Sequence, residues 1–180
     1  MKKIAMLLAV VFVCAIGAFA QTPNFAGTWK LDVSKLDERR AATIESQTMA
    51  VEQTATEIKS TTTTVRKAGA TGGGGGQGGP PGGGQGGGQG AGGPVTYTLD
   101  GKEVTVDRDT PNGKITIKTM AKVNGNKLEV NSAMVGPDGT ERKSKTTWEL
   151  SADGKTLNVK ATRPGRDGAD MTTESVYTKS

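Results

Sequence analysis

Residues 115–163, ITIKTMAKVNGNKLEVNSAMVGPDGTERKSKTTWELSADGKTLNVKATR, carry the alternation that decides the fold. Ile115, Ile117, Thr119, Ala121 and Val123 alternate with Thr116, Lys118, Met120 and Lys122. Leu128, Val130, Ser132 and Met134 alternate with Glu129, Asn131 and Ala133. Thr146, Trp148 and Leu150 alternate with Lys145, Thr147 and Glu149, and Leu157, Val159 and Ala161 with Asn158 and Lys160. A period of two is the mark of strands with one wet face, and threonine and valine suit a pleated surface. Between these runs stand Asn124-Gly125, Pro137-Asp138-Gly139 and Asp153-Gly154, three tight-turn signals.

Turn lengths predict register. A two-residue turn at Asn124-Gly125 pairs Val123 with Asn126, and so Ala121 with Leu128. A three-residue turn at Pro137-Asp138-Gly139 pairs Gly136 with Thr140, and so Met134 with Arg142, Val130 with Thr146 and Leu128 with Trp148. A turn at Asp153-Gly154 pairs Leu150 with Leu157 and Trp148 with Val159. All three put the apolar sets on one face, as a meander requires.

Outward from this stretch the pattern continues. Phe25 to Val33 reads as a strand and Ser34 to Thr43 as a polar turn or short helical piece. Gln47 to Gln53 with Glu57 to Arg66 reads as a hairpin, and Val95 to Leu99 and Glu103 to Asp107 read as strands joined at Asp100-Gly101. Met171 to Lys179 reads as the last strand. Such a count of antiparallel strands, without a long helix, leaves exposed edges unless the sheet closes into a barrel or folds into a sandwich. Residues 69–93 break the pattern: 17 of these 25 are glycine. Nothing there buries enough apolar surface to offset the entropy of ordering glycine, so the stretch reads as a disordered loop inserted in one domain.

At the N-terminus, Lys2 and Lys3 precede an apolar run from Ile4 to Phe19, and Ala18-Phe19-Ala20 supplies small residues for cleavage. This is the layout of a secretory signal peptide over residues 1–20, with the mature domain spanning 21–180. An uncleaved anchor and lipoprotein processing at Cys14 are the alternatives. Cleavage removes the sole cysteine, so the exported, periplasmic or secreted domain has no disulfide and its core must hold it alone. Histidine is absent from all 180 residues, which excludes Ser-His-Asp and Cys-His catalysis and most zinc sites. Removing Lys2 and Lys3 from the 23 basic residues leaves 21 against 18 acidic ones, a net +3. With few aromatics, that is a solvated surface and not a nucleic-acid footprint. No cofactor or metal motif is present, and no membrane span remains after cleavage.

Near the mature N-terminus stands Asn24-Phe25-Ala26-Gly27-Thr28-Trp29-Lys30-Leu31. Its Gly27-x-Trp29 pattern resembles the lipocalin and wider calycin families. The mature chain is also similar to small exported bacterial proteins called lipocalin-like, with an Asp153 to Leu157 hairpin before a final Val176 to Lys179 segment. The resemblance implies an up-and-down barrel of roughly eight to ten strands. Trp29 would plug one end, and the other would open onto a pocket for a small, mostly apolar ligand. It also implies a last-strand arginine opposite Trp29, for which Arg163 is the nearest candidate. A second motif of Thr-Asp-Tyr type and a cysteine pair are lacking.

The inner face grades from apolar to cationic. One strand runs Leu150, Trp148, Thr146, Ser144, Arg142, and the next Leu157, Val159, Ala161, Arg163. Trp29 and Trp148 either fill the core or line a ligand site. Arg142 and Arg163, beside Ser144, Thr146 and Trp148, either reach water at the rim or hold the carboxylate or phosphate of an amphiphile. Asp107, Asp109, Glu141 and Glu149 read as solvated charges, and Asp167 and Asp170 lack a calcium-loop pattern. The sequence therefore predicts a monomeric, non-enzymatic binder of a small lipophilic or anionic amphiphilic ligand. The alternative is an envelope interaction module with a filled barrel.

Overall fold

The computed structural model describes residues 22–68, 90–91, 94–111, 113–165 and 168–180. The expected signal peptide lies outside them, as do Asp167 and all of the glycine-rich stretch except Gly90–Ala91. The fold is all-β. Its strands are β1 (Gly27–Leu31), β2 (Ile44–Gln53), β3 (Glu57–Arg66), β4 (Gly90–Ala91), β5 (Val95–Thr98), β6 (Glu103–Thr110), β7 (Gly113–Asn124), β8 (Lys127–Val135), β9 (Glu141–Leu150), β10 (Thr156–Pro164) and β11 (Asp170–Lys179). A 3₁₀ turn (Val33–Lys35) and the helix α1 (Glu38–Thr43) separate β1 from β2. Asp37 caps α1 by accepting from the Arg40 backbone N–H.

The strands form one antiparallel sheet in the order β4-β3-β2-β1-β11-β10-β9-β8-β7-β6, with β5 also on β3. The first strand lies between the second and the last, so the chain termini join the two halves of a nearly closed barrel. The seam falls between β5 and β6, which follow each other in sequence yet pair with β3 and β7 respectively. Gly90–Ala91, inside the stretch expected to be a disordered loop, pairs with Thr64 and Thr63 of β3.

Two predicted registers are present: Leu128 faces Trp148 and Met134 faces Arg142 across β8–β9, and Leu150 faces Leu157 across β9–β10. The β7–β8 register differs by two residues. Asn124 pairs with Lys127 and Ala121 with Val130, so the loop is Gly125-Asn126 rather than Asn124-Gly125. Gly125 has φ +58° and Asn126 no positive φ, the pattern of a II′ turn with glycine first. Asn126 is held there because its side-chain amide donates to the Leu150 carbonyl at 2.8 Å and its own carbonyl accepts from Leu150 N–H at 3.0 Å. A shift of two keeps every side chain on its predicted face.

The inward residues make one core. Phe25, Trp29, Ile58, Tyr97, Leu128, Val130, Trp148 and Leu157 are essentially inaccessible. Phe25 and Tyr97 each meet the Trp148 ring edge-on, at centroid distances of 6.2 and 6.3 Å. These aromatic contacts join opposite walls and fill one end of the barrel.

Candidate functional site

The filled end is built around Trp29. Its indole N–H donates to the Phe25 carbonyl at 2.9 Å. Gln53 pins the approaching chain by accepting from Phe25 N–H and donating to the Pro23 carbonyl. The cation over Trp29 is Lys179, with Nζ 5.2 Å from the ring centroid, and not Arg163, which lies on β10. The reason is register: Trp29 and Lys179 are direct partners across β1–β11. Gly27 is required by the same contact. Its φ is +138°, and a Cβ there would stand 2.6 Å from Lys179 Cε.

Toward the other end the inward side chains become small and polar. Ser132 and Thr146 are buried, and the Thr119 and Ser132 hydroxyls lie 3.5 Å apart. On the opposite wall the Tyr177 hydroxyl donates to Gln47 Oε1 at 3.1 Å, and Gln47 Nε2 donates to Thr64 Oγ1 at 2.9 Å. Burial pushes the Tyr177 phenol up to about 12, with Arg40 acting the other way. Inward positions Ile115, Ile117, Thr119, Ser144, Val159, Ala161, Arg163 and Thr173 are only half-buried, so this half of the barrel is open to solvent.

The expected site residues do not form one cluster. Trp148 and Thr146 lie in the core. Arg142 is exposed and lines a depression of about 400 Å³ with Ile115, Met134 and Asp138. There the Thr140 backbone N–H and hydroxyl, with Arg142 contributing, hold the Asp138 carboxyl below its usual range. Ser144 and Arg163 border a different groove of about 480 Å³. That groove lies mainly on the outer face: its residues Met120, Asn131, Lys145 and Thr162 form one row across β7–β10. Lys118 and Lys143 extend it, and Lys143 is paired with Glu141 at 3.3 Å.

Arg40 is a candidate that the sequence pattern did not single out. From α1 it donates through Nη1 to the Glu174 carbonyl and through Nη2 to the inward hydroxyl of Ser175, both at 3.0 Å. The signal available was an Arg39-Arg40 pair in a short polar helix next to the first strand. Among the described residues no group of His, Cys, Asp and Glu could hold a metal ion. None of their helices is long and apolar enough to cross a membrane.

No protein-family model matches the chain, and no curated protein matches it significantly. Among solved structures, a mutant of the fluorescent protein UnaG is similar at 17% identity and a TM-score of 0.46, over 87% of this chain and 96% of that one. The zebrafish ileal bile acid-binding protein complexed with cholic acid is similar at 16% identity and the same TM-score, over 87% of this chain and 98% of that one.

Proposed function

We propose that the chain is a non-enzymatic binder of a small lipophilic or amphiphilic molecule, acting outside the cytoplasm. One observation carries the reading: the inward side chains at one end of the barrel are packed, whereas those toward the other end stay partly accessible. Inward residues such as Ile117, Val159 and Ala161 are half-buried although they face the interior. Apolar surface left accessible inside a concave wall favours occupation by an apolar molecule. Arg40 and Arg163 stand on the polar side, where an acidic head group of an amphiphile finds a guanidinium partner. The export reading rests on the basic, apolar and small-residue layout of residues 1–20.

Native mass spectrometry of the protein purified from its own host, followed by thermal shift against a panel of fatty acids, fatty alcohols and their esters, tests this. A co-purified molecule of a few hundred daltons, or a ligand-dependent rise in Tm, is expected. An unliganded protein that no panel member stabilises refutes the reading. The second reading, an interaction module, is favoured by β6. This strand ends the sheet, and Val104 and Val106 are 43% and 47% exposed. An unliganded protein that captures an extended peptide along β6 supports that alternative.

A further inference from the structure

We propose that the free edge of β6 takes up an extended peptide as an added antiparallel strand, and that the peptide carries cationic residues opposite Glu103 and Asp109 with apolar residues opposite Val104 and Val106. The proposal rests on the interaction reading of β6 and gives that reading its partner's chemistry. It does not depend on what the barrel interior holds.

Three observations carry it. First, the edge is open. Among the described strands β6 pairs only with β7, so about half of its backbone N–H and C=O groups point away from the sheet. All of residues 103–109 are exposed. Second, β6 lacks most of the devices that close an edge to partners. It is eight residues long and contains no proline, and its register with β7 runs unbroken from Glu103–Met120 to Thr110–Gly113. Third, its two faces have different unmet needs. Val104 and Val106 lie on the inner face opposite Thr119 and Ile117, and they are 43% and 47% exposed, so that row ends uncovered. On the outer face stand Glu103, Thr105, Asp107 and Asp109. β7 satisfies Asp107: Lys114 Nζ lies 2.7 Å from it, and the Thr116 hydroxyl donates to it at 2.7 Å. Glu103 and Asp109 make no ion pair among the described residues.

The charges choose the occupant. A second copy of β6 is the nearest rival, and the strand's own acids disfavour it. In the longest antiparallel self-pairing that sets valine against valine, Val106 faces Val106 and Glu103 faces Asp109 at both ends. In the next longest, Val104 faces Val106 and Glu103 faces Asp107, again at both ends. Like charges directly opposite each other are destabilising. A strand with cations opposite Glu103 and Asp109 turns those positions into attractive cross-strand pairs. Its main chain satisfies the open edge, and its apolar residues cover Val104 and Val106. Laid antiparallel to β6, the sequence Lys-Thr-Thr-Val-Thr-Val-Lys meets these terms. Its lysines fall opposite Asp109 and Glu103, and its valines opposite Val106 and Val104.

The test titrates two end-blocked, fluorescently labelled heptapeptides into the mature protein: the lysine peptide above, and the same sequence with glutamate in place of both lysines. Anisotropy reads affinity, and ¹H–¹⁵N spectra with amide hydrogen exchange read the place. The lysine peptide is expected to shift and protect the amides of residues 103–109. It is expected to bind about 10-fold more tightly than the glutamate peptide, with a preference that shrinks as salt is raised. The variant Glu103→Lys/Asp109→Lys, altered only at exposed positions, is expected to invert the preference. Equal binding of both peptides along β6 overturns the cationic partner and leaves the interaction reading standing. Binding that shifts other residues and leaves β6 unprotected overturns the site. A wild-type dimer in sedimentation that Val106→Asp dissociates makes the occupant a second copy, and this too overturns the proposal. Slow exchange at β6 in the free protein, with neither peptide bound, shows that the edge is already covered and overturns both the proposal and the interaction reading.

Discussion

Replacing Gly27 by alanine tests the account of the filled end. Two costs arise from one methyl group. At φ +138° an L-residue is strained, which costs about 1–3 kcal/mol. The added Cβ would also stand 2.6 Å from Lys179 Cε. Cε is near the end of a flexible side chain, so the lysine swings away, and what is lost is its position over Trp29. At a solvent-exposed site that cation–π contact is worth about 0.5–1 kcal/mol. Gly27→Ala is therefore expected to destabilise by about 2–3 kcal/mol. Gly125→Ala is the control: φ there is +58° and nothing lies within 4 Å, so only the backbone term of about 1–2 kcal/mol remains. Urea unfolding reads both, as a lower midpoint with unchanged slope. A double-mutant cycle isolates the second term. Lys179→Ala alone is expected to cost about 0.5–1 kcal/mol, and the Gly27→Ala/Lys179→Ala pair less than the sum of the singles by a similar amount. Strict additivity, together with a Gly27→Ala cost no larger than that of Gly125→Ala, would refute the argument that Gly27 makes room for Lys179.

Two further outcomes follow from the core. Leu128, fully buried opposite Trp148, is expected to cost about 3 kcal/mol when cut to alanine, measured by urea unfolding; a loss below about 1 kcal/mol would show that the wall collapses around it. Tyr177 has its folded value raised by burial to about 12, against about 10 in the unfolded chain. The unfolded state thus loses its proton first, and the stability present below about pH 10 falls as pH rises toward 12, by about 1.4 kcal/mol per pH unit for that group. Tyr97, raised in the same direction, adds to the fall. Unfolding midpoints between pH 9 and 11 should show a steeper decline for the wild type than for Tyr177→Phe, and identical slopes would mean that the phenol is hydrated.

What could be read from the sequence was parity, and what could not was whatever depends on a third strand. Alternation and turn length place Leu128 opposite Trp148 and Leu150 opposite Leu157 because each pair is local to a single hairpin. At Asn124-Gly125-Asn126 two loops satisfy the same alternation. The choice falls to the bonds between Asn126 and Leu150, which come from β9, outside that hairpin. The cation over Trp29 was hidden for a related reason. Lys179 comes opposite Trp29 only once β1 pairs with β11, the longest-range strand pairing among the described residues. Arg40 sits in a six-residue helix whose importance comes from where α1 lies against β11, and no periodicity in so short a piece reveals that.

The same distinction changes what the two arginines mean. Alternation puts Arg142 and Arg163 on the inner face, and on a flat sheet inner-face residues on neighbouring strands would share one pocket. The two side chains border different depressions instead. At its far end β9 runs into the turn at residues 136–140, so Arg142 stands with Asp138 and Met134 at that turn. Arg163 stands with Ser144 by a groove most of whose other residues face outward. A guanidinium clamp shared by both on one anion would need one of them to turn toward the other's depression.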